Sequence, residues 1–367
     1  MVAAGPDPPH RVARAMISPT ASPASIERFP RVSVVVPVLA GGLPLERALH
    51  SVVRQTYPHW EIVLPYTNSL ADVPAVVEGF TPSHHGGGAE RMLCEPLPAS
   101  TLGAARNAAI RRGTGALIAL LDPRDVWPDD RLQRCVESLR EHPQVDVLYS
   151  PTKPTNEARR SRRTDCPEGW ILGELFAANP IHDSTAVFYR RVWERVGGFD
   201  ESLKGAVSHN FWLRAAVGHR FGLLRAAPVE VAPPMKPSEP LKPAEPMKPS
   251  EPTIRTSPRE RTSPRERTSS MAERREELIA TARMLYQFYE LQGGKERLDR
   301  VLANRVLARV CQQVGWACVR AGDGTLAELA FGVAAWYRPS LASWLGYLMA
   351  AVQRRWRRQP AYGAANE

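Results

Sequence analysis

The stretch from Thr101 to Trp127, TLGAARNAAIRRGTGALIALLDPRDVW, constrains the fold more than any other part of the chain. An Ala-rich helical segment leads into a Gly-Thr-Gly turn, then a wholly apolar run, then a charged loop. A short apolar run between turn residues reads as a strand buried on both faces, and such strands belong to parallel sheets covered by helices. The same alternation recurs on either side. RVSVVVPVL (31–39) is a β-branched run, helical spacing follows at 44–56, and WEIVLPY (60–66) is a second strand. ADVPAVVEGF (71–80) reads as a short helix, RMLCEP (91–96) as a strand, and HHGGGAE (84–90) between them as a flexible loop. WPDDRLQRCVESLREH (127–142) has helical spacing, with Asp129 and Asp130 complementing the dipole at its start. VDVLYS (145–150) and residues 184–189 are further strands, and a helix is expected around 208–217. This order predicts an α/β unit over 31–231: a Rossmann-like, mostly parallel sheet with helices on both faces.

The flanking regions differ in composition. Residues 1–30 are rich in Pro, Ala and Ser, lack the apolar core of a secretory signal, and are expected to be disordered. Residues 232–270 repeat KPSEP, KPAEP and KPSEP, then TSPRER twice. Regular proline predicts an extended spacer, with a docking strip or Ser-Pro phosphorylation as the alternative. Helical spacing over 271–358 predicts a small bundle, followed by a tail at 359–367. Its last helix is apolar and aromatic and ends in Arg354, Arg355, Trp356, Arg357 and Arg358. Such an ending either lies on an anionic membrane or is the solvated basic end of an ordinary bundle helix.

A net charge of +10 favours anionic partners such as nucleotides, phosphorylated lipids or acidic membranes. Nucleic acid is set aside because aromatic platforms at suitable spacing are missing. The five cysteines are scattered without a C-x-x-C pair, which points away from zinc and disulfide frameworks and towards a reducing, cytoplasmic setting. No G-x-G-x-x-G follows the first strand, which argues against a dinucleotide oxidoreductase. In open α/β sheets ligands bind outside the carboxyl ends of the strands. Asp122, Arg124 and Asp125 stand at such an end.

Four segments in this order resemble glycosyltransferase family 2, whose members adopt the GT-A fold. They are VSVVVPVLAGG (32–42) with SVVRQTYPHWEIV (51–63), GAARNAAIRRGTGALIALLDPRDVWPDDRL (103–132), STAVFYRRVWERVGGFDESL (184–203) and NFWLRAA (210–216). The resemblance covers about residues 31–225. It implies an inverting transferase that moves a sugar from a nucleotide-sugar donor to a hydroxyl on a glycan or lipid-linked acceptor, in bacterial polysaccharide or glycan assembly. It also implies that Pro37, Val38, Leu39, Arg106, Asn107, Asp122 and Arg124 hold the donor, and that Asp125 binds a divalent Mn or Mg ion at the leaving diphosphate.

This chain departs from the family pattern at acidic positions. Tyr66 and Thr67 stand where the family has a pair of aspartates, Arg124 replaces an aspartate of the metal loop, and Val207 and Ser208 replace the Glu-Asp pair before WLR. Arg124 either neutralises the diphosphate itself or pairs with the carboxylate a metal would need. With the family's base missing, His209 is a candidate base, and Asp200 and Glu201 are the nearest alternative acids. The alternative to an enzyme is an impaired relative acting as a binding or scaffold protein.

Overall fold

The structure is a computed structural model describing residues 29–70, 72–78, 91–98, 101–153, 166–226, 228–232 and 264–358. The expectations for residues 1–28, the loop at 84–90, most of the Pro-rich segment and the tail at 359–367 lie outside these residues.

The strands are β1 (Val32–Val35), β2 (Trp60–Thr67), β3 (Arg91–Leu97), β4 (Leu117–Leu120), β5 (Val147–Tyr149), β6 (Thr152–Lys153), β7 (Val187–Tyr189), β8 (Phe221–Leu223) and β9 (Val229–Glu230). Seven of them form one sheet in the order β3-β2-β1-β4-β7-β5-β8. β3, β2, β1 and β4 are parallel, and β5 is parallel to β8. β7 runs antiparallel to both its neighbours, so the sheet is mixed. β6 and β9 form a separate parallel pair. Every residue of β1 and β4 is buried, which explains why all are apolar except Ser33, whose hydroxyl is spent on Glu61.

Around the first half of the sheet run α1 (Leu45–Val53), α2 (Val73–Glu78), α3 (Leu102–Arg112) and α4 (Arg131–Glu141). The chain steps from β1 to β2 to β3, then returns past β1 to form β4 on its other side. That reversal puts a crevice at the carboxyl ends of β1 and β4.

Polar side chains lock this region. Thr101 caps α3 by accepting the Ala104 N–H, and the Arg190 guanidinium donates to the carbonyls of Ile110 in its last turn and of Gly113 and Gly115 beyond its end. Glu61, fully buried on β2, accepts the Ser33 hydroxyl and the N–H groups of Thr114 and Gly115. Burial pushes its carboxyl up, but these hydrogen bonds outweigh that and hold it below its ordinary value.

The remaining helices are α5 (Leu172–Ala177), α6 (Arg190–Val196), α7 (Val207–Ala215), α8 (Pro264–Leu291), α9 (Gly294–Arg297), α10 (Arg300–Ala321), α11 (Gly324–Tyr337) and α12 (Leu341–Arg358). α8 begins at Pro264, inside the second TSPRER and before the expected start at 271, because proline is tolerated in a helix's first turn. α8 and α10 pack directly on α5. The Phe176 ring lies 6.2 Å from Phe288 and 6.1 Å from Tyr289, and Arg309 donates to the Ala177 carbonyl at 2.7 Å. Met284, Leu285, Val306 and Leu307 therefore belong to the same core as the sheet. A second small core of Val314, Cys318, Ala327, Phe331 and Ala350 holds α10, α11 and α12 together.

One local difference from expectation matters for the site. Residues 184 and 185, expected to open a strand, belong instead to a 3-10 turn over Asp183–Thr185, and β7 begins only at Val187.

Candidate active site

The carboxyl ends of β1, β2 and β4 lie side by side. Beyond β1, the Val38 N–H donates to the Pro65 carbonyl at 2.9 Å and the Thr67 N–H returns to the Val38 carbonyl at 3.1 Å. Pro37 and Val38 are buried and Leu39 is half-buried, so this segment continues the β1–β2 pairing to the rim. Tyr66 and Thr67 end β2 beside it.

Beyond β4 the chain makes a charged turn. Asp122 Oδ1 accepts the Arg124 N–H at 3.0 Å and its Nε at 2.8 Å, while Oδ2 accepts Nη2 at 2.8 Å. The two side chains remain 28% and 30% exposed, so this two-pronged pair reaches the surface. Burial raises the Asp122 carboxyl, yet the Arg124 hydrogen bonds more than offset it and hold the group below the ordinary range. Asp125 is only 1% exposed. Its Oδ2 accepts the Ser184 hydroxyl at 2.5 Å and its Oδ1 the Ala232 N–H at 2.8 Å, with His182 Nδ1 at 3.6 Å. Burial pushes this carboxyl up.

These donors do not fit a divalent cation. Hard cations need several oxygens with open lone pairs. Here Asp122 faces a guanidinium and Asp125 is claimed on both oxygens from within the chain. Among the described residues no three His, Cys, Asp or Glu side chains group in a way that could hold a metal. Asp125, expected to bind a metal and to act in catalysis, has both carboxylate oxygens engaged within the chain. It is an anchor that ties the β4 turn to residues 184 and 232.

The 3-10 turn carries what sequence reasoning missed. Asp183 Oδ2 accepts Arg106 Nη2 at 2.5 Å and the Ser208 hydroxyl at 2.6 Å, and Arg106 Nη1 donates to Ser208 Oγ at 2.8 Å. Asp183 Oδ1 is left without a hydrogen-bond partner among the described residues. Neighbouring elements hold the turn rigidly. Ser184 Oγ accepts the Asp122 N–H at 2.9 Å, Trp127 Nε1 donates to the Ser184 carbonyl at 2.8 Å, and Arg131 Nη2 to the Thr185 carbonyl at 2.6 Å. Ala206 at φ 56°, left-handed without being glycine, leads the chain into α7 one residue before Val207. The one signal available in sequence was the polar run HDST directly ahead of the apolar VFY.

Other expected site residues have internal partners. Arg106 is 5% exposed, engaged by Asp183 and Ser208, and stacked 5.1 Å from the Phe199 ring. Asn107 donates to the Phe199 carbonyl and to Glu201 Oε1, and accepts Trp193 Nε1 and the Phe199 N–H. Asn107 knits α3 to the GGFDES loop and Arg106 knits it to the 3-10 turn and α7, so both side chains are engaged within the chain. His209 is buried and its Nε2 donates to the Leu175 carbonyl at 2.6 Å, while burial lowers its basicity. It packs α7 on α5, and its Nε2, expected to be available as a base, is engaged by that carbonyl. Asp200 Oδ1 accepts the Ser202 N–H and hydroxyl, and the exposed Glu201 lies 3.7 Å from Arg111.

Residues 33–195 match the profile described as Glycosyl transferase family 2. A chondroitin synthase of Escherichia coli is 23% identical over 193 residues, spanning 52% of this chain and 27% of that protein. The Escherichia coli UDP-Glc:alpha-D-GlcNAc-diphosphoundecaprenol beta-1,3-glucosyltransferase WfgD is 28% identical over 118 residues, spanning 32% of this chain and 44% of that one. The chain thus spans less than half the length of these relatives. Among solved structures, the mannosyltransferase PcManGT from Pyrobaculum calidifontis, in complex with GDP-Man and Mn2+, aligns with a TM-score of 0.51 at 20% identity. That alignment covers 93% of this chain and 91% of the other, and the likeness is one of fold. The GT-A expectation for the α/β unit holds.

Proposed function

We propose, from the match of residues 33–195 to the Glycosyl transferase family 2 profile, that this chain transfers a sugar from a nucleotide-sugar donor to an acceptor hydroxyl during the assembly of a polysaccharide or related glycan. The observation that carries this is the neighbourhood of two polar clusters at the strand ends. The exposed Asp122–Arg124 pair and the Asp183–Ser208–Arg106 group are joined through Ser184, which binds the Asp122 N–H and directly follows Asp183.

In this reading Arg124 meets the charge that develops on the leaving diphosphate. Asp122 engages Nε and Nη2 and so orients the fork, leaving Nη1 for phosphate oxygens. Asp183 is the base. Ser208, at the position where the family carries a carboxylate, donates its hydroxyl to Asp183, so the negative charge has moved from α7 to the 3-10 turn. The acceptor oxygen attacks the anomeric carbon, its proton passes to Asp183, and the carbon–oxygen bond to the diphosphate breaks with its electron pair on phosphate. A single displacement of this kind inverts the anomeric centre. Related names support a glycan or a lipid-linked diphosphate sugar as acceptor.

A second reading, an impaired relative that binds without turnover, is favoured by the full commitment of Asp125 and Arg106 to internal contacts. A screen of UDP- and GDP-sugars for nucleoside diphosphate release, in manganese and in EDTA, separates the two. Release from at least one donor, persisting in EDTA, supports the transferase. Binding without release under both conditions supports the second reading.

A further inference from the structure

α12 is apolar on two opposite sides. Ser343 and Ala350 are fully buried, and a Cβ on Gly346 would run into the Phe331 ring, so these positions face α10 and α11. On the far side Leu341, Leu345, Leu348, Met349 and Val352 are each more than half exposed, at 82%, 58%, 59%, 51% and 55%. At about 100° per residue these five fall in one stripe roughly 100° wide, its centre about 140° around the helix from that of the packed face. Trp344 flanks the stripe at 56% exposure. α11 adds Leu329, Val333 and Trp336, the last 84% exposed. Between α10 and α12 an open apolar groove of about 560 Å³ is lined by Val319, Leu348, Met349, Val352 and Gln353.

The outward stripe of a surface helix in water is ordinarily polar, and exposed apolar areas this extensive mark interaction sites. The charge on α12 is one-sided as well. The helix contains no Asp, Glu or Lys, and its only charged residues are Arg354, Arg355, Arg357 and Arg358 at one end. No helix among the described residues is long and apolar enough to cross a membrane.

We propose that this face of α11 and α12 docks on an anionic lipid surface, with its leucines at the headgroup–acyl boundary and its terminal arginines on the phosphates. A helix of this make-up lies in the plane of the interface, where exposed indoles such as Trp336 and Trp344 are also at home. Charge argues against a second copy of the chain as the occupant. Two α12 stripes packed in parallel would bring their arginine ends together. Packed antiparallel, each arginine end would meet the opposite end of its partner, where Arg338 precedes the helix. Arg354 already pairs with Glu328 at 3.1 Å, and anionic headgroups supply a counter-charge for the exposed Arg355 and for the arginines that follow it in sequence. The inference stands whether or not the strand-end site turns over.

The test is flotation of the full chain with vesicles of phosphatidylcholine alone and of phosphatidylcholine mixed with phosphatidylglycerol, alongside sedimentation equilibrium without lipid. The protein is expected to float with the mixed vesicles, to stay behind with the neutral ones, and to be released by salt. Leu345→Glu with Leu348→Glu should abolish flotation while far-UV circular dichroism stays unchanged, since both side chains are exposed. Arg355→Gln should weaken it about fivefold, as one elementary charge near an anionic surface implies. Equal flotation with both vesicle types, or with neither, overturns the proposal. So does a dimer in lipid-free buffer that Leu345→Glu disperses.

Discussion

Arg106 and Asp183 form an ion pair between helix α3 and the 3-10 turn, with Nη2 2.5 Å from Oδ2 across 77 residues of sequence. The arginine side chain is 6% exposed and the aspartate 20%, so removing either partner leaves the other charge shielded from water. Ser208 bridges the same two groups, so three distant segments depend on one carboxylate.

Removing the charge at that carboxylate should stop chemistry before it stops binding. Asp183→Asn is expected to lower kcat by about 100-fold or more, as the loss of a general base does, with the donor KM little changed. Ser208→Ala should cost only a few-fold, because it removes a hydrogen bond and leaves the carboxylate. Steady-state kinetics on the folded variants checks both.

The arginine half of the pair should be worth more to stability than to turnover. Arg106→Met leaves Asp183 shielded and unpaired and should cost about 3–5 kcal/mol in urea unfolding, the usual effect of breaking a buried pair. Adding Asp183→Asn to that variant should recover part of the loss.

His209 gives the opposite pattern. It sits in the core and holds α7 to α5 through the Leu175 carbonyl. His209→Phe should lower stability by about 1–3 kcal/mol, the cost of leaving a buried carbonyl unsatisfied. The kcat of the folded protein and its pH profile should not move. Loss of the acid-side limb of that profile would restore His209 as the base.

Gly103 tests a close approach. A Cβ there would stand 2.6 Å from the Asp200 carbonyl oxygen, a backbone atom that cannot swing away. Helix propensity alone favours Gly103→Ala by about 1 kcal/mol. Overpacking costs about 1–3 kcal/mol and should win, so the variant should unfold at lower temperature in a thermal melt.

Glu61 sets an acid limit on stability. Its folded pKa lies below the ordinary 4.5, so its contribution is present in full above that value and disappears as pH falls through the folded one. Glu61→Gln should be less stable than the parent at neutral pH, and the gap should close in denaturant titrations below pH 4.5.

Much of the architecture was legible in the residues. β1 and β4 announced themselves because strands buried on both faces are almost wholly apolar, Ser33 being the one polar residue of the two, and the helices between them kept their spacing. β7's direction was not legible, since three apolar residues look alike in either orientation. The site was readable only in part. Asp122 and Arg124 stand at a strand end that the strand–helix alternation makes predictable. Asp125 has the composition of a ligand, but its fate depends on Ser184 and Ala232, which are far away in sequence. Asp183 was hidden for the same reason. Its importance lies in Arg106 and Ser208, which only the folded chain brings to it.

The most direct test of the account is calorimetric titration of the protein with UDP and GDP in EDTA, repeated with Arg124→Ala. Metal-free binding of at least one nucleotide, weakened at least tenfold by the substitution, is the predicted result, tenfold being a loss of about 1.4 kcal/mol. Binding that requires manganese, or that Arg124→Ala leaves intact, would contradict the claim that a guanidinium holds the diphosphate here.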